Sequence, residues 1–413
     1  MNNMSSASSS FSLSRTFSAL RHRNYRLWFA GQIVMLVGTW MQSTAQGYLV
    51  YELTGSTAYL GVVSFAAGVP SWLFTLYGGL VADRFSRRNI LIVTQGSNML
   101  LAITLAVLVF SQVVQPWMIV GLAFLLGTTG AFEGPARQAF LTELVDREDI
   151  PNGIALNSTM FNLGTVIGPA AGGLVYAAVG PGWCFLINGL TFIASLTSLA
   201  FIRVKALAVS ENKYSTQGQL TEGLRFTLHH PQIRYLILGM GMMGMFVFGG
   251  LSLLPAWARD VLQGDSTTFG LLNSARGLGS LTAALIVATI GHLKIRGKIW
   301  IGGILLMPIF LLLFAAVRWV PLAMLMLVGI GLAVISQGNI SNVLIQLNVP
   351  DHLRGRVMGI FMLVFNGGLP IGSLAAGLIA EGIGAPATIS LFAGVLLIYA
   401  VYTWLRHPEI RKM

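Results

Sequence analysis

Along most of the chain, apolar residues run for about twenty positions before a short polar break interrupts them. A bilayer core of about 30 Å is crossed by about 20 helical residues. Twelve stretches fit that length, at approximately 25–51, 57–82, 89–112, 116–140, 153–178, 182–203, 233–258, 267–291, 298–317, 320–343, 355–380 and 385–405. The pattern predicts an all-α membrane protein with twelve transmembrane helices. The polar stretch Val204–Gln232 divides the spans six and six, giving an N-terminal bundle at 21–203, an inter-domain loop at 204–232 and a C-terminal bundle at 233–406. The serine-rich start lacks the basic-then-apolar order of a cleaved signal, so 1–20 reads as a disordered cytoplasmic tail and 407–413 as a second tail.

Composition agrees with the pattern: 55% of residues are hydrophobic, mean hydropathy is +0.74, and 9% charged residues cannot cover a soluble surface of this size. The net charge of +11 therefore has to be read by position. Every Lys and Arg except Arg259, Arg276 and Arg318 falls at the same side of the span pattern. Basic loops stay cytoplasmic, which puts both termini in the cytoplasm of a cell whose inner membrane holds the protein. The charge sets topology and gives no reason to expect nucleic acid. The single cysteine, Cys184, excludes an intramolecular disulfide or a thiolate metal cluster and reads as buried packing. Trp28, Trp117, Trp183, Trp257, Trp300, Trp319 and Trp404 lie near span ends, where indoles suit the headgroup layer. Trp40 and Trp72 lie mid-span and need another reason.

An internal repeat supports the division. Residues 133–180 align with 337–384 at a constant offset of 204, so that Gly164, Gly168, Gly173 and Gly180 meet Gly368, Gly372, Gly377 and Gly384. A second match, "LGVVSFAAG" at 60–68 with "FGLLNSARG" at 269–277, has an offset of 209. Two like-oriented six-helix halves are a transporter architecture, with the substrate site between them near the midplane.

With these motifs in view, the sequence resembles the major facilitator superfamily. "GGLVADRFSRR" is similar to its signature between the second and third helices, carried by Gly79, Asp83, Arg84, Arg87 and Arg88, with Ser86 where that pattern usually has glycine. "GTVIGPAAGG", with Gly164, Gly168, Pro169, Gly172 and Gly173, resembles the fifth-helix signature of its drug-exporting, proton-antiporting branch. "GTWMQ" with "YELTGSTAYLG", "GPARQAFLTELV" with "NGIALNSTMFNLG", and "VPDHLRGRVMGI" resemble the enterobactin-exporter-like branch, the transmembrane secretion effectors. The resemblance covers about residues 20–405 and implies that the proline kink of helix 5 seals the inter-half interface on the outer side.

The cluster at 79–88 has two readings. Charge at a cytoplasmic mouth anchors topology; alternatively Asp83 faces the N-terminal end of helix 11, whose free N–H groups favour an anion, while Arg84, Arg87 and Arg88 pair with Glu143 or Asp146. The second reading makes the cluster a conformational latch between the halves. The glycines of helix 5 share a face at i, i+4 and i+8 and read as inter-half packing, whereas the matching face of helix 11 lacks the proline. Few ionisable residues lie inside spans, where each is costly. Glu133, whose repeat mate is Gln337, is the candidate proton carrier, because a desolvated carboxylate takes up a proton more readily than one in water; the alternative is a pairing with Arg137. Arg276, the mate of Ala67, binds an anionic substrate or pairs with a carboxylate or backbone carbonyls. Gln32, Trp40, Gln42 and Gln46 of helix 1, with Gln337, are candidates to line a central substrate cavity or to bond helix to helix. Asn162 and Asn366 read as interface contacts.

An intramembrane enzyme would need a nucleophile and base or metal ligands at membrane depth, and all six histidines lie in or beside cytoplasmic segments. A channel suits the repeat less well than alternating access. No G-x-x-x-x-G-K-[ST] loop is present, so an ion gradient has to supply the energy. The sequence thus predicts a monomeric secondary transporter without cofactor or metal, exporting a small organic molecule such as a siderophore, drug or metabolite in exchange for protons. Gradient-driven import is the alternative.

Overall fold

The computed structural model describes residues 17–203, 216–290 and 296–412. Twelve long helices are present among them: α1 (Arg23–Thr54), α2 (Thr57–Arg84), α3 (Arg87–Phe110), α4 (Pro116–Leu141), α5 (Ile150–Val179), α6 (Pro181–Phe201), α7 (Pro231–Val261), α8 (Ser266–Ile290), α9 (Arg296–Ala316), α10 (Val320–Asn348), α11 (Asp351–Ile383) and α12 (Ala385–Arg406). Eleven of these carry segments long and apolar enough to cross a membrane. The exception, α1, is 32 residues long and holds the glutamines that dilute its apolar character.

Local chemistry explains many of the ends. Proline opens α4, α5, α6, α7, α10 and α12 within their first two positions, where its missing N–H leaves no intrahelical bond unmade. Gly180 and Gly384, matched by the 204-residue repeat, turn the chain from α5 into α6 and from α11 into α12 with φ of 93° and 82°, a region that a Cβ disfavours. At the start of α8, Asp265 Oδ1 accepts from Thr268 N at 2.9 Å and Thr268 Oγ1 at 3.2 Å, an N-cap. Partial burial pushes the Asp265 carboxyl up, but the Thr268 bonds outweigh it and the net shift is down. A depressed folded-state pKa gives stability that is present above the unfolded value and lost as pH falls through the folded one. We expect Asp265→Ala to cost about 1 kcal/mol, read as a lower midpoint in thermal unfolding at neutral pH, with the difference shrinking towards pH 3.

α7 departs from the single continuous span expected from the sequence. It passes through π-helical turns at Met243–Phe248 and Trp257–Val261 and breaks at Ser252–Leu253. Pro255, just past the break, cannot donate back to Leu251.

In the first half α1 packs on α5 and α6, α2 on α4, and α3 on α4 and α6; in the second, α10 packs on α8 and α9, α9 on α12, and α7 on α11. The halves meet along two seams, α2 with α11 and α5 with α8. For the ends of the bundle we use "basic end" for the one carrying Arg84, Arg87 and Arg88, and "far end" for the opposite one.

Several expectations change here. Residues 1–16 of the expected tail lie outside the described residues, but Ser18–Arg21 form a 3-10 turn in which Ala19 is buried and donates to Asn152 Oδ1 at 2.9 Å. Residues 18–20, expected in the tail, are therefore structured. Of the expected loop at 204–232, residues 204–215 lie outside the description and Thr216–His229 form a helix. Its Glu222 pairs with Arg356 of α11. In the second expected tail, Ile410 is buried. Trp28, Trp257 and Trp300 are 0% exposed and so do not reach headgroups. Trp28 packs edge-on against Phe140, Trp257 stacks on Phe314, and Trp300 Nε1 donates to Ser341 Oγ at 2.7 Å. Trp117 and Trp319 are 67% and 66% exposed.

Candidate functional site

The two seams reproduce the sequence repeat in three dimensions. Thr57 Oγ1 on α2 donates to Gly377 O on α11 at 3.0 Å, and Ser266 Oγ on α8 donates to Gly173 O on α5 at 3.2 Å. A Cβ on Gly377 would stand 3.0 Å from Gly61 Cα, and one on Gly173 would stand 3.1 Å from Gly270 Cα. These four helices approach so closely because glycine removes the side chain between their backbones. Farther along, Gly68 abuts Pro370, which lies inside α11 close to the mate of Pro169, and Gly277 abuts Thr165 O.

All these contacts lie in the far-end and middle parts of the seams. Towards the basic end, Gly79 on α2 and Gly355 and Gly359 on α11 have nothing within 4 Å of where a Cβ would be. The described contacts between the halves thus gather at the far end and in the middle of the seams.

The far-end seal carries polar clasps that the motifs did not indicate. Glu381, near the end of α11, sits at the N-terminus of α2 and accepts from Ser56 Oγ at 3.0 Å, Thr57 Oγ1 at 2.9 Å and Ala58 N at 3.1 Å. This is a carboxylate placed where a helix presents free N–H groups. Tyr51 of α1 donates to Asp260 of α7 across the halves, and Tyr176 of α5 donates to Glu52 of α1 within the first half. Beneath them Tyr48 meets Tyr176 edge-on and stacks on Phe269. Tyr51 and Asp260 stand at equivalent positions of the two halves by the 209-residue offset, whereas Glu381 matches Ala177 in the other half, so the repeat gives no sign of that clasp.

The residues expected to form a latch are placed as follows. Asp83 and Arg84 are exposed and make no hydrogen bond among the described residues. Arg87 pairs with Glu143, as one alternative had it, but α3 and the end of α4 belong to the same half, so this pair does not bridge the halves. Arg88 donates to the Leu199 and Ala200 carbonyls at 2.6 and 3.0 Å, closing the end of α6 within that half too. The glycines of α5 also divide. Gly164, Gly168 and Gly172 face Trp40, Val37 and Met41 of α1 in their own half, and only the adjacent stripe, Thr165, Pro169 and Gly173, faces α8. A step of one residue turns a helix by about 100°, enough to separate the two faces.

Glu133 lies in a polar chain inside the first half. Gln32 Nε2 of α1 donates to Ser195 Oγ of α6 at 2.7 Å, and Ser195 donates to Gln95 Oε1 of α3 at 2.6 Å. Gln95 Nε2 and Asn98 Nδ2 then donate to the two Glu133 oxygens, each at 3.2 Å. Arg137, one turn on, lies over the Trp28 ring at 5.9 Å and forms no ion pair within 4.0 Å with Glu133 among the described residues. The arrangement is a half-buried carboxylate at the end of a hydrogen-bonded chain through four helices.

Gln32, Gln42 and Gln337 do not line a cavity. They are 0%, 5% and 1% exposed, and each is bonded within one half: Gln42 Oε1 accepts from Asn188 Nδ2 at 2.6 Å, and Gln337 Nε2 donates to Gly239 O at 3.1 Å. Each amide nitrogen donates to a neighbouring helix, or for Gln42 the amide oxygen accepts from one, so the side chains serve helix-to-helix bonding, the other reading the sequence allowed. Gln46 and Trp40 remain half-buried, and Trp40 meets Phe161 edge-on. Asn366 is exposed and Asn162 half-buried; Asn162 bonds its own helix through Ser158 O. Arg276 lies in α8 beside the α5 seam, with its guanidinium 5.9 Å from the centre of the Phe248 ring.

The profile of the transmembrane secretion effector family matches residues 14–412. The staphyloferrin A transporter of Staphylococcus aureus is 26% identical, covering 89% of this chain and 92% of its own. The multidrug efflux pump Tap of Mycolicibacterium fortuitum is also 26% identical, covering 89% and 91%. Among solved structures, a bacterial homologue of the human lysosomal transporter Spinster superposes with a TM-score of 0.74 at 13% identity, covering 94% of this chain and 98% of that one. The chain is therefore a multi-pass membrane protein of the transmembrane secretion effector family, a branch of the major facilitator transporters.

Proposed function

We propose that this protein is a secondary active exporter that moves a small organic molecule across the inner membrane of a bacterial cell by alternating access, in exchange for protons. The observation that carries the reading is the asymmetry of the seams: the described hydrogen bonds and glycine contacts between the halves fall at the far end and in the middle, while Asp83 and Arg84 at the basic end are exposed. With the basic end in the cytoplasm, as the placement of Lys and Arg favours, this is the cytoplasm-open member of a pair of states. Efflux pumps among the relatives support outward transport.

In this reading Glu133 carries the proton, and the two carboxylates near the ends of α2 and α11 hold alternate states. α2 and α11 run antiparallel, so Glu381 at the end of α11 meets the start of α2, and Asp83 at the end of α2 lies towards the start of α11. When the basic end closes, Asp83 caps α11 as Glu381 now caps α2, and the far-end clasp is released. A protein with two such exclusive contacts has two states between which a ligand and a proton gradient can shift the population.

The test compares metabolites inside and outside cells with and without the gene, under iron limitation and in rich medium. A compound that builds up inside and falls outside on deletion is the expected result and names the solute. Depletion inside with persistence in the medium makes the protein an importer.

A further inference from the structure

Seven buried side-chain polar atoms have no partner among the described residues, and one of them belongs to a charged group: Arg276 Nε. An unpaired cation at membrane depth is costly, so such a residue ordinarily faces an acid or an aqueous path. No acidic side chain among the described residues forms an ion pair with Arg276 within 4.0 Å. Its apolar company is specific. Phe248 lies under the guanidinium, and Phe365 of α11 meets Phe248 edge-on at 5.8 Å. On the other half, Trp72 of α2 abuts Gly367 of α11, and its Nε1 is a second buried donor without an acceptor.

The local backbone is unusual at the same place. Phe248 ends the π-helical turn Met243–Phe248, a distortion frequent at functional sites, and α7 breaks four residues later. Interrupted helices at mid-depth mark the binding sites of many transporters. Arg276 is one residue from Gly277, whose contact with Thr165 is on the α5 seam, so Arg276 lies beside the boundary between the halves.

We infer that the cleft takes an organic acid with an apolar body, its anionic group held by Arg276 and its apolar part lying against Phe248 and Phe365. This rests on the transporter reading and narrows its substrate class. A planar guanidinium presents a fork that fits a carboxylate in two hydrogen bonds, and it keeps its charge at any physiological pH. The aromatic faces contribute contact to a ring or an alkyl chain without demanding a particular one. Trp72 Nε1 adds a donor from the opposite half, available to an acceptor-bearing ligand that spans the cleft.

The experiment uses the purified full chain in detergent and reads binding by thermal shift and by tryptophan fluorescence. The probes are matched pairs of an acid and its own primary amide: benzoate, 2-naphthoate, octanoate and hydrocinnamate, each beside its amide, with sodium chloride and sodium phosphate as separate arms. At least one acid is expected to bind at least tenfold more tightly than its amide, about 1.4 kcal/mol. Arg276→Gln should remove that preference, and Arg276→Lys should keep part of it. Phe248→Leu should weaken acid and amide alike.

Three results would overturn the inference: no acid preferred over its amide, a preference that survives Arg276→Gln, or chloride or phosphate saturating the site so that organic acids no longer bind. If Arg276→Gln does not give a monodisperse protein, Arg276→Lys and the acid–amide comparison on the unaltered chain still decide. Binding is measured without transport, so loss of the inference would leave the cellular export result untouched, and failure of export would leave the binding preference standing.

Discussion

Asp83→Asn is expected to reduce transport to less than a tenth of the unaltered protein's while leaving membrane insertion intact, and Glu381→Gln is expected to shift the molecule towards the opposite state. The two carboxylates occupy equivalent places, each near the C-terminal end of a helix that runs antiparallel to its partner. Glu381 is engaged at the start of α2, and Asp83 is exposed. An anion at a helix N-terminus contributes up to about 1 kcal/mol in an exposed site. A neutral amide forfeits the charge and leaves N–H groups facing a poorer acceptor, so the populations should move by about fivefold. Spin labels at Gln112 and Gln263, both exposed loop residues at the far end, would report this. Their separation should lengthen or broaden in Glu381→Gln and stay short in Asp83→Asn. Unchanged transport in Asp83→Asn would remove the latch from the mechanism, whatever the distances do.

Glu133→Gln should abolish the response of transport to a pH gradient while sparing exchange of labelled for unlabelled solute. The carboxylate receives two amide N–H groups in the structure, an arrangement suited to its charged form. Once protonated it must donate instead, and Gln95 has to turn its amide to accept; Ser195 and Gln32 then reverse in sequence. Protonation is thereby felt in α1, α3 and α6, the helices of the half that has to reorient. Glutamine keeps the shape and removes the titration. One pH unit is worth about 1.4 kcal/mol per proton, so a coupled exporter gains up to about tenfold in its concentration ratio and the variant gains nothing. The measurement is solute uptake into inverted vesicles with and without an imposed gradient, beside counterflow in the same vesicles. A Glu133→Gln protein that still follows the gradient would send the search for the proton carrier elsewhere.

How much was legible in advance differs by kind of claim. Span number and order were readable because about 20 apolar residues in a row have one low-energy use, a membrane helix. The duplication was readable because matched glycines leave a numerical offset, and the structure gives that offset a meaning: Gly61 against Gly377 and Gly270 against Gly173 are the same contact made twice. Even the φ of Gly180 returns at Gly384.

The errors share one cause. Helical spacing says which residues lie on a common face, but the direction in which that face looks is set by packing. Gly164, Gly168 and Gly172 do form a stripe, yet it faces α1, and the seam belongs to the neighbouring stripe. Gln32, Gln42 and Gln337 were polar residues in apolar helices, and each bonds a neighbouring helix of its own half rather than facing a cavity. Trp28, Trp257 and Trp300 lie near helix ends as an interfacial ring would, but a neighbouring helix covers each one. Arg87 found Glu143 within its own half because α3 and α4 are already packed there.

What the sequence by itself determined is the quantity that depends on hydrophobic length and on duplication: a membrane protein of two related helical halves, with its basic residues gathered at one end. What only the tertiary structure decided is which half each polar group joins and which end is closed. Those depend on helix rotation and on contacts between residues more than 300 positions apart, such as Glu381 with Thr57, and no local spacing carries that information.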